Sequence, residues 1–209
     1  MKEKVSAIID ILKDKYPNPV CALHYTKDYE LMIAVRLSAQ CTDARVNLVT
    51  PALFAAYPTL EAMANANIAD VEGLVHSCGF YKHKARDIVL ACQMLLEKHD
   101  GKVPGTMEEL LKLPGVGRKT ANLLLGDLYA VPGSVVCDTH CMRICERLGL
   151  SKGREPEKVE KQLRAVLPPD ESSDFCHRIV LFGREICTSQ RPKCDSCPLA
   201  VLCHAVNRP

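Results

Sequence analysis

The sequence predicts an all-α protein, and three observations carry that prediction. Apolar residues recur at helical spacing along most of the 209 residues, as at Val5, Ile8, Ile9 and Leu12. Helix start signals precede many of these runs. Alternating apolar–polar runs are almost absent, and the β-branched pair Val135-Val136 is too short to demand a sheet. The periodicity predicts helices over 3–15, 28–39, 43–56, 59–65, 69–77, 81–99, 106–112, 117–129, 139–148, 156–166 and 173–187. Thr106 with Glu109 reads as a capping box, Asp28 and Asp138 as N-caps, and Pro156 suits a first helical turn. Pro17, Pro19, Pro58, Pro104 and Pro132 punctuate the chain between elements.

Composition narrows the class further. With 47% hydrophobic and 25% charged residues, disordered and fibrous classes are excluded. No run approaches 18 consecutive apolar residues, so no membrane span and no membrane partner are expected. The first seventeen residues superficially resemble a signal peptide, but Asp10 and Lys13 interrupt the apolar run. An amphipathic helix and a cytoplasmic, nucleoid-associated protein are expected instead. The charge of +2, from 27 basic and 25 acidic residues, means that any nucleic-acid footprint is local.

Twelve cysteines are the compositional anomaly. Eight are scattered through helical segments and read as small buried hydrophobes, since disulfides do not persist in a reducing compartment. The other four follow the pattern Cys187-x6-Cys194-x2-Cys197-x5-Cys203. They can converge on one centre only if the chain loops between them, and the proline-bearing stretch RPKCDSCP supplies such loops. Four cysteines hold either structural zinc or an iron–sulfur cluster. A single Cys-x2-Cys pair flanked by longer gaps favours a [4Fe–4S] cluster over zinc, whose sites usually show two such pairs. Either group would staple a tail too short to bury a core of its own. Arg191 and Lys193 sit in the first loop, as solvated charges or as phosphate contacts.

Residues 106–129 read TMEELLKLPGVGRKTANLLLGDLY. A capped helix ends near Leu113, Pro-Gly-Val-Gly turns, and a second helix begins. Gly115 and Gly117 permit positive φ and leave backbone N–H groups of the Gly115–Val116–Gly117 turn facing outward. Such donors at a helix start suit an anion, which is the helix–hairpin–helix mode of binding a DNA backbone. Lys119 stands just inside the second helix. A free lysine, pKa about 10.4, is protonated and inert at neutral pH. The helix N-terminus, neighbouring Arg118 and partial desolvation all disfavour the charged form, as a Schiff-base nucleophile requires. Asp138 is an available carboxylate. The helix from Lys119 to Tyr129 is roughly 15 Å long. Residues 130–137 can span roughly 26 Å, enough to return Asp138 to the lysine.

LPGVGRKTA at 113–121, VCDTH at 136–140, LSAQCTD at 37–43, GFYKHKA at 79–85 and the 6-2-5 cysteine spacing together resemble the endonuclease III branch of the helix–hairpin–helix DNA glycosylase superfamily, iron–sulfur type. The likeness runs through essentially the whole chain in order. It implies two helical domains with DNA in the cleft between them. Residues 22–132 would form a six-helix domain, and 1–21 with 133–209 a domain carrying the C-terminal [4Fe–4S] loop. It implies that Lys119 is the Schiff-base nucleophile, Asp138 its partner carboxylate, and Cys187, Cys194, Cys197 and Cys203 the cluster ligands. Gln40 would enter the space left by the extruded nucleotide. Phe80, where relatives often carry leucine, would act as a wedge. His140 and Arg143, one turn from Asp138, are further DNA contacts. The implied protein is a monomeric base excision repair enzyme, acting on duplex DNA with oxidised or ring-saturated pyrimidines or abasic sites. It would be both glycosylase and lyase.

Three rival readings have discriminators in the sequence or in simple measurements. The adenine-mismatch branch resembles a sequence with a catalytic glutamate where this chain has Arg36, and here the hairpin keeps Lys119. A redox-sensing iron–sulfur DNA-binding protein would need neither Lys119 nor Asp138. A zinc-stapled module would lack iron and its broad visible absorption.

Overall fold

The computed structural model describes residues 1–206 and holds eleven α-helices and no strand among them. In chain order these are α1 (Lys2–Lys15), α2 (Asp28–Ser38), α3 (Asp43–Ala56), α4 (Leu60–Ala64), α5 (Ile68–Val75), α6 (Tyr81–Lys98), α7 (Met107–Leu110), α8 (Arg118–Tyr129), α9 (Thr139–Leu148), α10 (Pro156–Val166) and α11 (Ser172–Glu185). Each matches an expected helix with ends shifted by two residues or fewer. Four single 3₁₀ turns, at His76–Cys78, Pro169–Glu171, Cys194–Ser196 and Ala200–Leu202, were not expected. Three residues are too few for a periodic pattern to register.

The helix starts show which side chains close them. Asp138 Oδ1 accepts from the Cys141 N–H at 2.7 Å, so it caps α9. Thr106 Oγ1 accepts from the Glu109 N–H at 3.3 Å, while its hydroxyl donates to Glu109 Oε2 at 2.6 Å. Pro156 begins α10. Asp28 is not a cap. Lys27 holds that position in extended conformation, and Glu30 Oε2 accepts from the N–H groups of Thr26 and Lys27 at 2.8 and 3.2 Å. With Glu30 closing the turn, Asp28 lies one residue inside, where its charge still complements the helix dipole.

The chain resolves into two compact units, Cys21–Tyr129 and Met1–Val20 with the chain from Ala130. The first holds α2–α8. Its centre is α2, buried on nearly every side through Leu31, Met32, Ile33, Ala34, Val35 and Leu37, with α3, α6 and α8 packed against it. A helix apolar all round belongs in the middle of its unit. In the second unit, α9 and α1 pack on α11. Buried Arg178 ties these together. Its Nε donates to the Tyr16 carbonyl at 3.1 Å and its Nη2 to Asp174 at 3.2 Å. Gly183 on α11 permits the close approach, because a Cβ there would lie 2.5 Å from His140 Nδ1 and 2.8 Å from Ile144 Cδ1.

All twelve cysteines are unpaired. Cys78, Cys92, Cys137, Cys141, Cys145 and Cys176 are buried, as small hydrophobes should be. Cys21 and Cys41 depart from that expectation and are only partly covered. No helix among the described residues is long and apolar enough to cross a membrane.

Candidate functional site

The hairpin turn in the first unit is set by a contact that local sequence does not reveal. Gly115 has φ +73°, a conformation that L side chains rarely adopt. A Cβ on it would lie 2.5 Å from Arg36 Nε and 2.9 Å from Asp87 Oδ2. These two residues form an ion pair under the turn, with Arg36 Nε and Nη2 donating to Asp87 Oδ2 at 2.9 and 2.6 Å. Arg36 is therefore a supporting residue of the hairpin. Buried Val116 pins the turn from inside, its N–H donating to the Leu113 carbonyl at 3.1 Å.

Gly117 differs from the expectation. Its φ is not positive, and nothing lies within 4 Å of where its Cβ would stand. Its use is the open space before the start of α8, where first-turn N–H groups have no carbonyl behind them within the helix. Lys119 sits one residue into α8 and is exposed.

Two further expected contacts belong to the same unit. Gln40 and Phe80 are exposed non-glycine residues with left-handed backbones, at φ +54° and +47°. Such conformations cost of order 1–3 kcal/mol and persist where surroundings hold them. Lys84 does some of the holding. Although fully buried, its Nζ donates to the carbonyls of Leu37 at 2.9 Å and Cys78 at 2.5 Å, joining the end of α2 to the 3₁₀ turn before Phe80. Burial holds its pKa below the ordinary lysine value.

In the second unit, Asp138 is half-buried at the start of α9, with one carboxylate oxygen committed to the cap. One turn on, Arg143 Nη2 lies 3.2 Å from His140 Nδ1 and donates to the Cys187 carbonyl at 3.0 Å. Arg143 thus fastens the first ligand of the cysteine loop, a role its position as a candidate DNA contact did not suggest. Arg147, which the sequence analysis missed, does more of the same. Its Nη1 donates to Cys187 Sγ at 3.2 Å and the Thr188 carbonyl at 2.8 Å, and its Nη2 to the Ser189 carbonyl at 3.0 Å. The signal was present as arginines four residues apart on α9, the spacing of one helix face.

Cys187, Cys194, Cys197 and Cys203 all line one cavity of about 220 Å³. Its walls include Ile144, Phe182 and buried Leu199. Burial, then the proximity of Cys187, Cys203 and Cys194, hold the Cys197 thiol above its ordinary pKa, against an opposing Leu199 N–H. Four thiols with a guanidinium beside them match the donor set of a thiolate-held cluster, whose anionic sulfurs favour such a charge. Among the described residues, no three His, Cys, Asp or Glu side chains converge closely enough for a single ion. Arg191 and Lys193 are exposed in the loop between the first two ligands.

The chain is similar to known proteins over nearly its whole length. The profile of the HhH-GPD superfamily base excision DNA repair proteins matches residues 33–169. Endonuclease III of Synechocystis is 44% identical over 202 residues, covering 97% of this chain and 92% of its own. Endonuclease III of Escherichia coli K12 is 38% identical over 202 residues, covering 97% and 95%. A solved trapped covalent intermediate of an endonuclease III with DNA is 41% identical, superposes with a TM-score of 0.92 and covers 99% of this chain and 97% of that one. A thermostable thymine-DNA glycosylase, 18% identical at a TM-score of 0.84 and covering 98% and 97%, shares the fold. The chain belongs to the HhH-GPD superfamily of base excision DNA repair proteins and, within it, to the endonuclease III family.

Proposed function

We propose that the chain is a base excision repair DNA glycosylase and abasic-site lyase, removing oxidised or ring-saturated pyrimidines from duplex DNA. The observation that carries this is Lys119, an exposed amine just inside the helix that follows a built hairpin turn, in a chain 41% identical to a protein trapped in covalent linkage with DNA. Damaged bases pair and stack poorly, so they cost less to flip out of the duplex. Gln40 fills the space left by the extruded nucleotide and Phe80 wedges the stack, both being exposed residues with left-handed backbones. The Gly115–Val116–Gly117 turn takes a backbone phosphate at the N–H groups of its two glycines, the Val116 N–H being held by the Leu113 carbonyl. His140 and Arg143 add contacts near Asp138.

Lys119 Nζ, once deprotonated, attacks C1′ of the flipped nucleotide, and the bond from C1′ to the base breaks. Asp138 accepts the proton or balances positive charge developing on the sugar. The sugar ring then opens to an imine on Lys119. Loss of a proton from C2′ expels the 3′ phosphate, so the strand is cut on that side. Water releases the enzyme by hydrolysing the imine.

Cys187, Cys194, Cys197 and Cys203 would hold a [4Fe–4S] cluster, which would staple the loop and supply no chemistry to these steps. Stapling presents Arg191 and Lys193 to DNA phosphates. The test is a duplex bearing one thymine glycol. Wild type releases the base and nicks the strand. Lys119→Ala loses nicking by at least about 10³-fold while still binding, and Asp138→Asn slows base release roughly 10²–10⁴-fold. Wild-type nicking by Lys119→Ala overturns the assignment.

A further inference from the structure

We propose that Cys41 and Cys78 form a peroxide-oxidisable dithiol, whose disulfide ties the Gln40 loop to the Phe80 loop and slows base excision. The effect on excision rests on the roles proposed above for Gln40 and Phe80. Cys41 directly follows Gln40, and Cys78 stands two residues before Phe80. Although 37 positions apart in sequence, the two thiols stand near enough for Cys41 to bear on the ionisation of Cys78. The turn that carries Cys78 packs against α3, whose N-terminus follows Cys41. Cys41 is partly exposed and open to a small oxidant, whereas Cys78 is buried behind it. Attacking and resolving sulfurs are thus arranged outside and inside.

Lys84 makes the pair more than two neighbouring cysteines. Its Nζ donates to the carbonyls of Leu37 and Cys78, three residues or fewer from the first loop and at the base of the second. Its charge faces both thiols. Burial and then neighbouring Cys41 raise the Cys78 thiol pKa to about 11, with Lys84 and Arg45 opposing that only in part, which suits a resolving thiol that follows an exposed partner. The loops also hold costly backbone conformations. Gln40, Gly79 and Phe80 all have positive φ, at 54°, 60° and 47°. Residues that must enter a duplex need to adjust as they do so, and a covalent tie at Cys41–Cys78 removes that adjustment.

The chemistry balances with hydrogen peroxide as the oxidant. The Cys41 sulfur attacks one peroxide oxygen, the O–O bond breaks, and a sulfenic acid and water form. The Cys78 sulfur then attacks the sulfenic sulfur. The S–S bond forms and hydroxide leaves, taking the Cys78 proton as a second water. Two thiols lose two electrons in all, and one peroxide is reduced to two waters.

The test uses reduced holoprotein treated with hydrogen peroxide, with the visible absorption followed to confirm that the metal centre is unchanged. Remaining thiols are alkylated and the digest is mapped by mass spectrometry. The expected result is a joined Cys41–Cys78 peptide that dithiothreitol separates. Thymine glycol excision should fall about tenfold and recover on reduction, since misplacing reacting groups by about 1 Å can cost roughly 10²-fold. Cys41→Ser and Cys78→Ala should excise normally and ignore peroxide. Two alkylated thiols after peroxide treatment overturn the dithiol, and a joined peptide with unchanged excision overturns the control of activity. Excision by the reduced wild type separates this proposal from the glycosylase reading. Its absence overturns that reading, and the peptide map, which reads no activity, still decides the disulfide.

Discussion

The hairpin turn and the cysteine loop are both short, irregular and exposed, yet they are ordered by different means. The hairpin is ordered by the chain itself. Gly115 rests on the Arg36–Asp87 pair, Val116 is buried beneath it, and helices flank it on both sides. The cysteine loop has two single 3₁₀ turns, one fully buried anchor at Leu199, and Arg147 clamping its first residues. The rest of its order falls to what the four thiols hold. On the proposed reading, the hairpin should keep its order when the group held by the four thiols is lost, while the surface around the cysteine loop should not.

The largest effect that tests this contrast comes from removing the metal centre. Iron chelation or Cys197→Ser should raise amide hydrogen exchange through 187–203 and leave 106–129 protected, because metal–thiolate binding is worth about 10 kcal/mol in small sites. Equal loss of protection in both regions would erase the distinction. Next, Gly115→Ala should destabilise the protein by roughly 2–4 kcal/mol in urea unfolding, combining positive-φ strain with a contact near 2.5 Å. Arg36→Ala should cost about 1–3 kcal/mol through lost charged hydrogen bonds. The double variant should cost less than the two together, since removing the Arg36 side chain makes room for the new Cβ.

A third prediction uses pH. Burial alone pushes Cys92, in the hairpin-bearing unit, up to about 12 from an ordinary value of 9.0. A thiol raised in the folded state contributes its full stability below pH 9 and loses it as pH climbs toward 12. The slope is up to about 1.4 kcal/mol per pH unit. Unfolding free energy should fall over that window, and Cys92→Ala should flatten the fall. An identical slope in the variant would remove Cys92 from the account. The smallest effect belongs to the loop surface. Alanine at Arg191 and at Lys193 should each reduce the slope of log affinity against log salt by about 1, read from DNA binding across a salt titration.

Much of this was legible in sequence because the signals are local. Val5, Ile8, Ile9 and Leu12 announce α1 by spacing alone, and all four are buried. Asp138 announces α9 and Pro156 announces α10 by cap chemistry. The cysteine spacing pointed to one centre, and its four residues line one cavity. What stayed hidden is long-range. Arg36 meets Asp87 across 51 positions and Lys84 meets Leu37 across 47, so no periodic window contains either pair. Asp28 misled because Glu30, two residues on, closes the same turn. Gln40 and Phe80 were named through family likeness. Their left-handed backbones, which carry no mark in residue type, add a physical reason for attention.

The central claim is that Lys119, presented at the head of the hairpin helix, forms a covalent imine with DNA. Borohydride added to the protein with a thymine glycol duplex reduces such an imine to a stable amine, and mapping the adducted peptide locates it. The account predicts one adduct, on the Lys119 peptide, absent from Lys119→Ala. An adduct on any other residue, or base release with no adduct at all, would contradict it.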